Sequence, residues 1–291
     1  MSLLLDTTRL KAEGSEPVIG FEQPAYGDSV GWNRYLTLLG ERAYFIGGAC
    51  DTCAFIFERM GGANRNVSPE KTADALRGGL ERVEDTLVGA IGKAVPEGTY
   101  RVSLLELTPN LVRPGAEGDY FAHEQVELWG TDKFWELPHY PKTEYYRTPS
   151  VSLGSSRRLF EFVIPMFPKG WLSEKTVRAY SDRLHAGERP TALAVSTLDV
   201  RGPTTREEGP TVNEHWCLAH YLLDGHHKTY SAYLAEKPIT LLSFLTTVES
   251  VATEENVARV LEVLASGEKI PSAPLPGTPR RGRAFDKGIA L

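Results

Sequence analysis

The amino-acid sequence predicts an α/β protein, α+β overall, in two parts with a tail. Residues 1–150 form an N-terminal α+β region, 151–267 a mixed sheet with helices, and 268–291 a flexible tail. Three observations carry this prediction. After residue 158, apolar runs of strand length alternate with stretches of helical periodicity. Before it, one stripe of apolar residues at three- and four-residue steps runs from 73 to 91. Between the halves, TPSVSLGSS at 148–156 is small, polar and turn-prone.

Each element follows from local signals. Residues 1–30 mix Gly, Pro and polar types and read as an irregular lead-in. In the apolar, aromatic stretch 32–60, residues 42–46 read as a strand broken by Gly47-Gly48. Ser68 then caps a helix whose first position suits Pro69 and whose positive end suits Glu70. Ala73, Leu76, Leu80, Val83, Leu87 and Ile91 form its apolar stripe, and Pro96 and Gly98 stop it. TYRVSLLELT at 99–108 reads as a strand, and short strands are expected within 120–129. LFEFVI at 159–164 is the next strand. A helix over 173–187 follows, capped by Ser173 and stopped by Gly187, with Val177, Tyr180 and Leu184 inward. TALAVSTLDV (191–200) and HWCLAHYLL (215–223) are strands. A helix starts near Thr229 and stops before Pro238; 239–246 is a strand and 254–264 a last helix. The Pro- and Gly-rich tail carries Arg280, Arg281 and Arg283, read as solvated.

Bulk properties narrow the function classes. A net charge of −6 with pI about 5.7 argues against a basic nucleic-acid-coating surface, so no nucleic-acid partner is expected. Three cysteines, Cys50, Cys53 and Cys217, make no disulfide framework and favour a reducing, cytoplasmic setting. The N-terminus lacks a signal-peptide pattern, and no stretch approaches the ~20 apolar residues of a bilayer span, so no membrane partner is expected.

The chemistry concentrates where a strand ends in Asp224-Gly225 and a helix begins with His226-His227-Lys228-Thr229. Unpaired N–H groups at a helix start attract anions. Gly225 allows close backbone approach, the histidines and Lys228 add donors, and Asp224 can hold Mg²⁺ or accept a proton. The plain alternative is a turn with surface histidines. Cys50-Asp51-Thr52-Cys53 admits three readings: a thiol–disulfide couple, half of a zinc site, or buried free cysteines. A zinc site would draw on Cys217, but His220 lies three residues on, across a strand, and so faces the other way. His215 or His227 would have the right parity. His123-Glu124, His139, Trp129 and Trp135 read as an aromatic layer more than as a ligand pocket.

The order strand, helix, PTALAVS strand, LLDGHHKTYSAY and PITLLSF, over 158–265, resembles the ParB/sulfiredoxin-like superfamily. The DGHHK box is closest to the DGHHR of its free-serine-kinase branch, with Lys228 keeping the charge but losing the bidentate fork. That resemblance implies Mg²⁺ with ATP, ADP or CTP, and catalytic roles for Asp224 and His226. It implies that Asp224 carries the metal and that Gly225, His226, His227, Lys228 and Thr229 hold the nucleotide. It also implies a second carboxylate, for which Glu161 and Glu174 are candidates. The function expected first is Mg-nucleotide-dependent phosphoryl transfer, or nucleotide hydrolysis, on a small-molecule substrate. A non-catalytic nucleotide-sensing or protein-interaction module is the second reading. A zinc- or thiol-dependent protein built on Cys50 and Cys53 is the third.

Overall fold

The computed structural model describes residues 1–25, 31–65, 73–204 and 212–267. Among these, six α-helices and thirteen strands form a mixed α/β architecture, with one large mixed sheet and one small antiparallel sheet. The core of the large sheet is a pair of eleven-residue strands, β11 (Thr191–Arg201) and β12 (Glu214–Asp224), which pair antiparallel. Every residue of both is buried except partly exposed Val200, Glu214 and Asp224. Continuous apolar runs of this kind belong inside a sheet covered on both faces.

On one side β11 pairs with β13 (Ile239–Thr246), then β6 (Gly98–Leu107), then β1 (Leu3–Ala12) at the edge. On the other side β12 runs parallel to β10 (Arg157–Ile164). Beyond β10 lie β8 (Tyr145–Arg147) and β7 (Asn110–Val112), and β9 (Val151–Ser152) also pairs with β10. Strands β6 and β7 are joined only by Thr108 and Pro109, yet stand six strand positions apart in the sheet order. In a flat sheet that separation would be about 29 Å, whereas three Cα–Cα steps span at most about 11 Å. The sheet therefore curls until its two ends approach. The Ser2 hydroxyl, just before β1, donates to Glu161 on β10 at 2.6 Å, which requires the same curvature.

The two faces bury separate cores. Phe160, Phe162, Val195, Tyr221 and Phe244 pack with the small sheet and with Phe55, Phe57, Tyr120 and Phe121. That small sheet has the order β2 (Ile19–Glu22), β3 (Asn33–Leu38), β4 (Glu41–Gly48), β5 (Glu58–Arg59). On the other face Leu159, Val163, Ala194, Leu218 and Leu241 meet three helices. These are α4 (Glu174–His185) through Leu184, α5 (His226–Ala235) through Ala232, and α6 (Glu254–Ser266) through Val257 and Val260.

Several expectations change. The lead-in 1–30 contains β1 and β2, and β1 is an edge strand whose polar alternation masks its nature. The single helix of the 73–91 stripe is two short helices, α1 (Ala73–Gly78) and α2 (Asp85–Gly92). The break is Gly79, at φ 89°, where any Cβ would strike the Arg189 carbonyl. Ser68, Pro69 and Glu70 lie outside the described residues, as does the tail 268–291. Within 120–129 there is no strand but a helix, α3 (Glu124–Trp129). The helix after the joint starts at His226, three residues before Thr229. The large sheet runs across the boundary expected at 148–156: β1 and β6–β8 precede it, β9 lies within it and β10–β13 follow it.

Candidate functional site

Strand β12 ends at Asp224, opposite Leu193, and α5 begins two residues later. Gly225 makes this turn at φ 98°, with an added Cβ only 2.6 Å from the Ala192 Cβ. Close packing on β11 thus requires glycine here without any ligand. The two histidines each accept a backbone N–H through Nε2: His226 from Met166 at 2.9 Å and His227 from Ser173 at 3.0 Å. An Nε2 that accepts leaves the proton on Nδ1 of a neutral ring. Burial, opposed by the Asp224 carboxylate, pushes His226 down to about 3 and lowers His227 as well. The His226 ring also stacks on Phe167, centroids 3.7 Å apart. Together the histidines fix the connection from β10 to α4.

Lys228 is buried and donates to Asp224 Oδ2 at 2.7 Å and to the Thr191 carbonyl at 2.8 Å. Burial lowers its pKa and Asp224 opposes that shift. The Thr229 N–H and hydroxyl both go to the Gly225 carbonyl, at 2.8 and 3.0 Å. The sequence-predicted residues do come together, and the fold already engages their side chains.

A cavity of about 240 Å³ opens beside the joint, with His226 and Phe167 on its wall. Arg59, Lys142 and Lys169 line it against a single carboxylate, Glu144. Arg59 is held by the Met166 carbonyl at 2.8 Å, and Lys169 reaches Glu144 at 2.9 Å. Lys142 is paired with Glu58, outside the wall, and Lys169 with Glu144, so among the described residues the wall cation without a carboxylate partner is Arg59. Sequence reasoning missed these three cations, because they come from β5 and two separate connections that only the fold assembles. A cavity of about 320 Å³ lies between Thr108–Asn110 and the end of α5, with no cation among its lining residues.

The donor set at the joint does not make a self-sufficient Mg²⁺ site. Asp224 offers one carboxylate already shared with an ammonium, and a bound Mg²⁺ typically takes one or two carboxylates plus phosphates and water. Among the described residues no group of three or more His, Cys, Asp or Glu side chains is spaced for a metal. Neither candidate glutamate contacts the joint through a hydrogen bond or ion pair. Glu174 is exposed at the start of α4. Glu161 is buried and accepts from Ser2 and from Thr148 Oγ1 at 2.5 Å, with His220 Nε2 at 3.3 Å.

That second cluster was not anticipated. His220 Nδ1 lies 2.7 Å from Ser196 Oγ, which lies 2.9 Å from Ser243 Oγ. Acid, imidazole and hydroxyl follow the order of a nucleophilic triad, but none is more than 3% exposed and neither cavity reaches them. Burial raises the Glu161 carboxyl, yet the His220 hydrogen bond and charge, with the Ser2 and Thr148 hydroxyls, hold it down at about 2. The cluster serves to satisfy buried polar groups. The signal for it was polar residues at 161, 196, 220 and 243 inside apolar strands.

Cys50 and Cys53 are joined by a disulfide, while Cys217 is fully buried with its thiol toward the Tyr120 hydroxyl. The structure does not bring Cys217 to the pair, and sulfurs bonded to each other supply no thiolates for zinc. Cys217 and His220 face opposite cores, as strand parity demands. His215 bonds to Tyr120 at 2.9 Å, and His139 to the Phe57 carbonyl at 2.7 Å. Trp129 Nε1 donates to the Thr52 carbonyl, and Trp135 is 70% exposed. His123 caps the start of α3 without a side-chain bond. No helix among the described residues is long and apolar enough to cross a membrane. The chain matches none of the known protein families, curated proteins or solved structures with which it was compared.

Proposed function

We propose that this chain binds a phosphorylated small molecule, a nucleotide first among them, in the cavity beside the DGHHK joint. The observation that carries the reading is the wall itself: three cationic side chains around the His226 end of α5, Lys142 and Lys169 paired with Glu58 and Glu144 and Arg59 with no carboxylate. Its volume, about 240 Å³, lies just below the ~300–1,000 Å³ of ordinary ligand clefts. It therefore suits the phosphate-bearing part of a ligand, with the remainder outside. The resemblance of 158–265 to the ParB/sulfiredoxin-like superfamily supports a phosphate role for this joint. Mg²⁺ would enter with the nucleotide, as its phosphate complex. The joint's own side chains then act as a platform: the histidines hold the wall in place and Lys228 neutralises Asp224.

Binding without turnover is the form that these contacts favour, since Lys228 is committed to Asp224 and no second carboxylate joins them. Phosphoryl transfer is the second reading. It is favoured by the Asp224 side chain, which remains 24% exposed and can accept an acceptor's proton.

The test is calorimetric titration with phosphate, pyrophosphate, AMP, ADP, ATP and CTP, each with and without Mg²⁺. Saturable binding of one of these is expected, weakened roughly tenfold or more by Lys169→Ala through loss of a charge-assisted contact. Absence of binding across the panel, or binding indifferent to Lys169→Ala, would refute the site. Product release that disappears in Asp224→Asn would promote the second reading over the first.

A further inference from the structure

We propose that Cys50 and Cys53 form a redox-active pair that exchanges electrons with thiol and dithiol reductants. The pair is remote from the phosphate cavity. Arg201 and Gly202 hold its loop at the far end of β11, whereas the joint packs on Leu193 at the near end. About eight residues of extended strand, roughly 26 Å, separate the two.

The two residues differ in exposure. Cys53 is exposed and Cys50 is half-buried, which makes Cys53 the side from which an incoming thiolate is expected to attack. The leaving sulfur is the better supported one, because Thr52 Oγ1 donates to Cys50 Sγ at 3.8 Å. A hydrogen bond to the sulfur stabilises a thiolate and makes it leave faster.

The loop does not depend on the disulfide for its shape. Three consecutive carbonyls are held from outside it: Cys50 by Arg201 Nη1, Asp51 by the Gly202 N–H at 2.9 Å, and Thr52 by Trp129 Nε1 at 3.3 Å. With those anchors in place the two thiols stay near the 5.5 Å Cα separation of the closed form. Reclosure is then intramolecular and fast.

The exchange balances as follows. A thiolate of the reductant attacks Cys53 Sγ, the protein S–S bond breaks, and its electron pair leaves with Cys50 as thiolate. The reductant's second thiol loses its proton and attacks the reductant sulfur of the mixed disulfide, expelling Cys53 as thiolate. The dithiol is oxidised to its disulfide, and the protein gains two electrons and takes up the two protons.

The experiment equilibrates the folded protein with mixtures of reduced and oxidised dithiothreitol, then alkylates free thiols for peptide mass analysis. Reversible opening is expected at denaturant-free rates well above global unfolding, with the melting temperature largely kept. With glutathione and an acid quench, the trapped adduct is expected on Cys53. Thr52→Val should slow opening roughly fivefold, about 1 kcal/mol. The proposal is overturned if opening follows global unfolding, if reduction melts the protein, or if the adduct forms on Cys50.

Discussion

His226 and His227 act through the N–H groups they accept, from Met166 and Ser173, which lie 60 and 54 residues earlier in the chain. A sequence shows two imidazoles at a helix start; it does not show which distant amide each will meet. That is why the joint was legible as a polar cluster and its internal bonding was not. The same bonding has a pH consequence. Burial pushes both His226 and His215 down to about 3, while an unfolded histidine titrates near 6.5. Below pH 6.5 the unfolded chain binds protons that the folded chain refuses. Stability from these rings is therefore complete above about 6.5 and is lost as pH falls toward 3. Each ring should contribute a slope of about 1.4 kcal/mol per pH unit within that window. Urea unfolding of His226→Gln between pH 6.5 and 4 should show the slope reduced by one such increment; an unchanged slope would mean that His226 is not held neutral by the fold.

At the scale of elements, the strands and helices of the second half were legible because their signals are local. Ser173 accepts the Thr176 N–H, and Thr253 with Asn256 closes a capping box. In the first half β4 and β6 were legible for the same reason, but the helix read over 73–91 was not, because its limits are set by tertiary contact. The stripe from 73 to 91 has helical period throughout, yet Gly79 turns at φ 89° against the Arg189–Pro190 backbone that leads into β11. The two accounts predict opposite signs for Gly79→Ala. In a continuous helix, alanine would stabilise by about 1 kcal/mol. In the folded chain it must adopt a positive φ and displace backbone, at a cost of about 2 kcal/mol or more. Chemical denaturation decides between them, and a destabilised variant is the expected result.

At the scale of the whole molecule, the small sheet is bound to the large one by a buried charge cluster that no local pattern announces. Arg34 of β3 grips Asp199 of β11 through both terminal nitrogens, at 2.6 and 3.2 Å, while Arg201 pairs with the same carboxylate. Tyr44 adds a hydrogen bond from β4 to the Pro165 carbonyl at 2.6 Å. Burial alone would raise Asp199, but Arg201 and Arg34 hold its carboxyl below the usual range, so it remains an anion between two cations. Asp199→Asn would leave two buried guanidiniums without their counter-charge, which costs about 3–5 kcal/mol. The manner of loss matters as much as its size. Residues before 150 and after it share one curled sheet, and the small sheet shares the aromatic core, so the described residues are expected to unfold together. Far-ultraviolet circular dichroism and tryptophan fluorescence should therefore report one coincident transition in both proteins, moved to lower urea in Asp199→Asn. Two separated transitions would instead mean that the small sheet is an independent unit and that the charge cluster merely joins it to the rest.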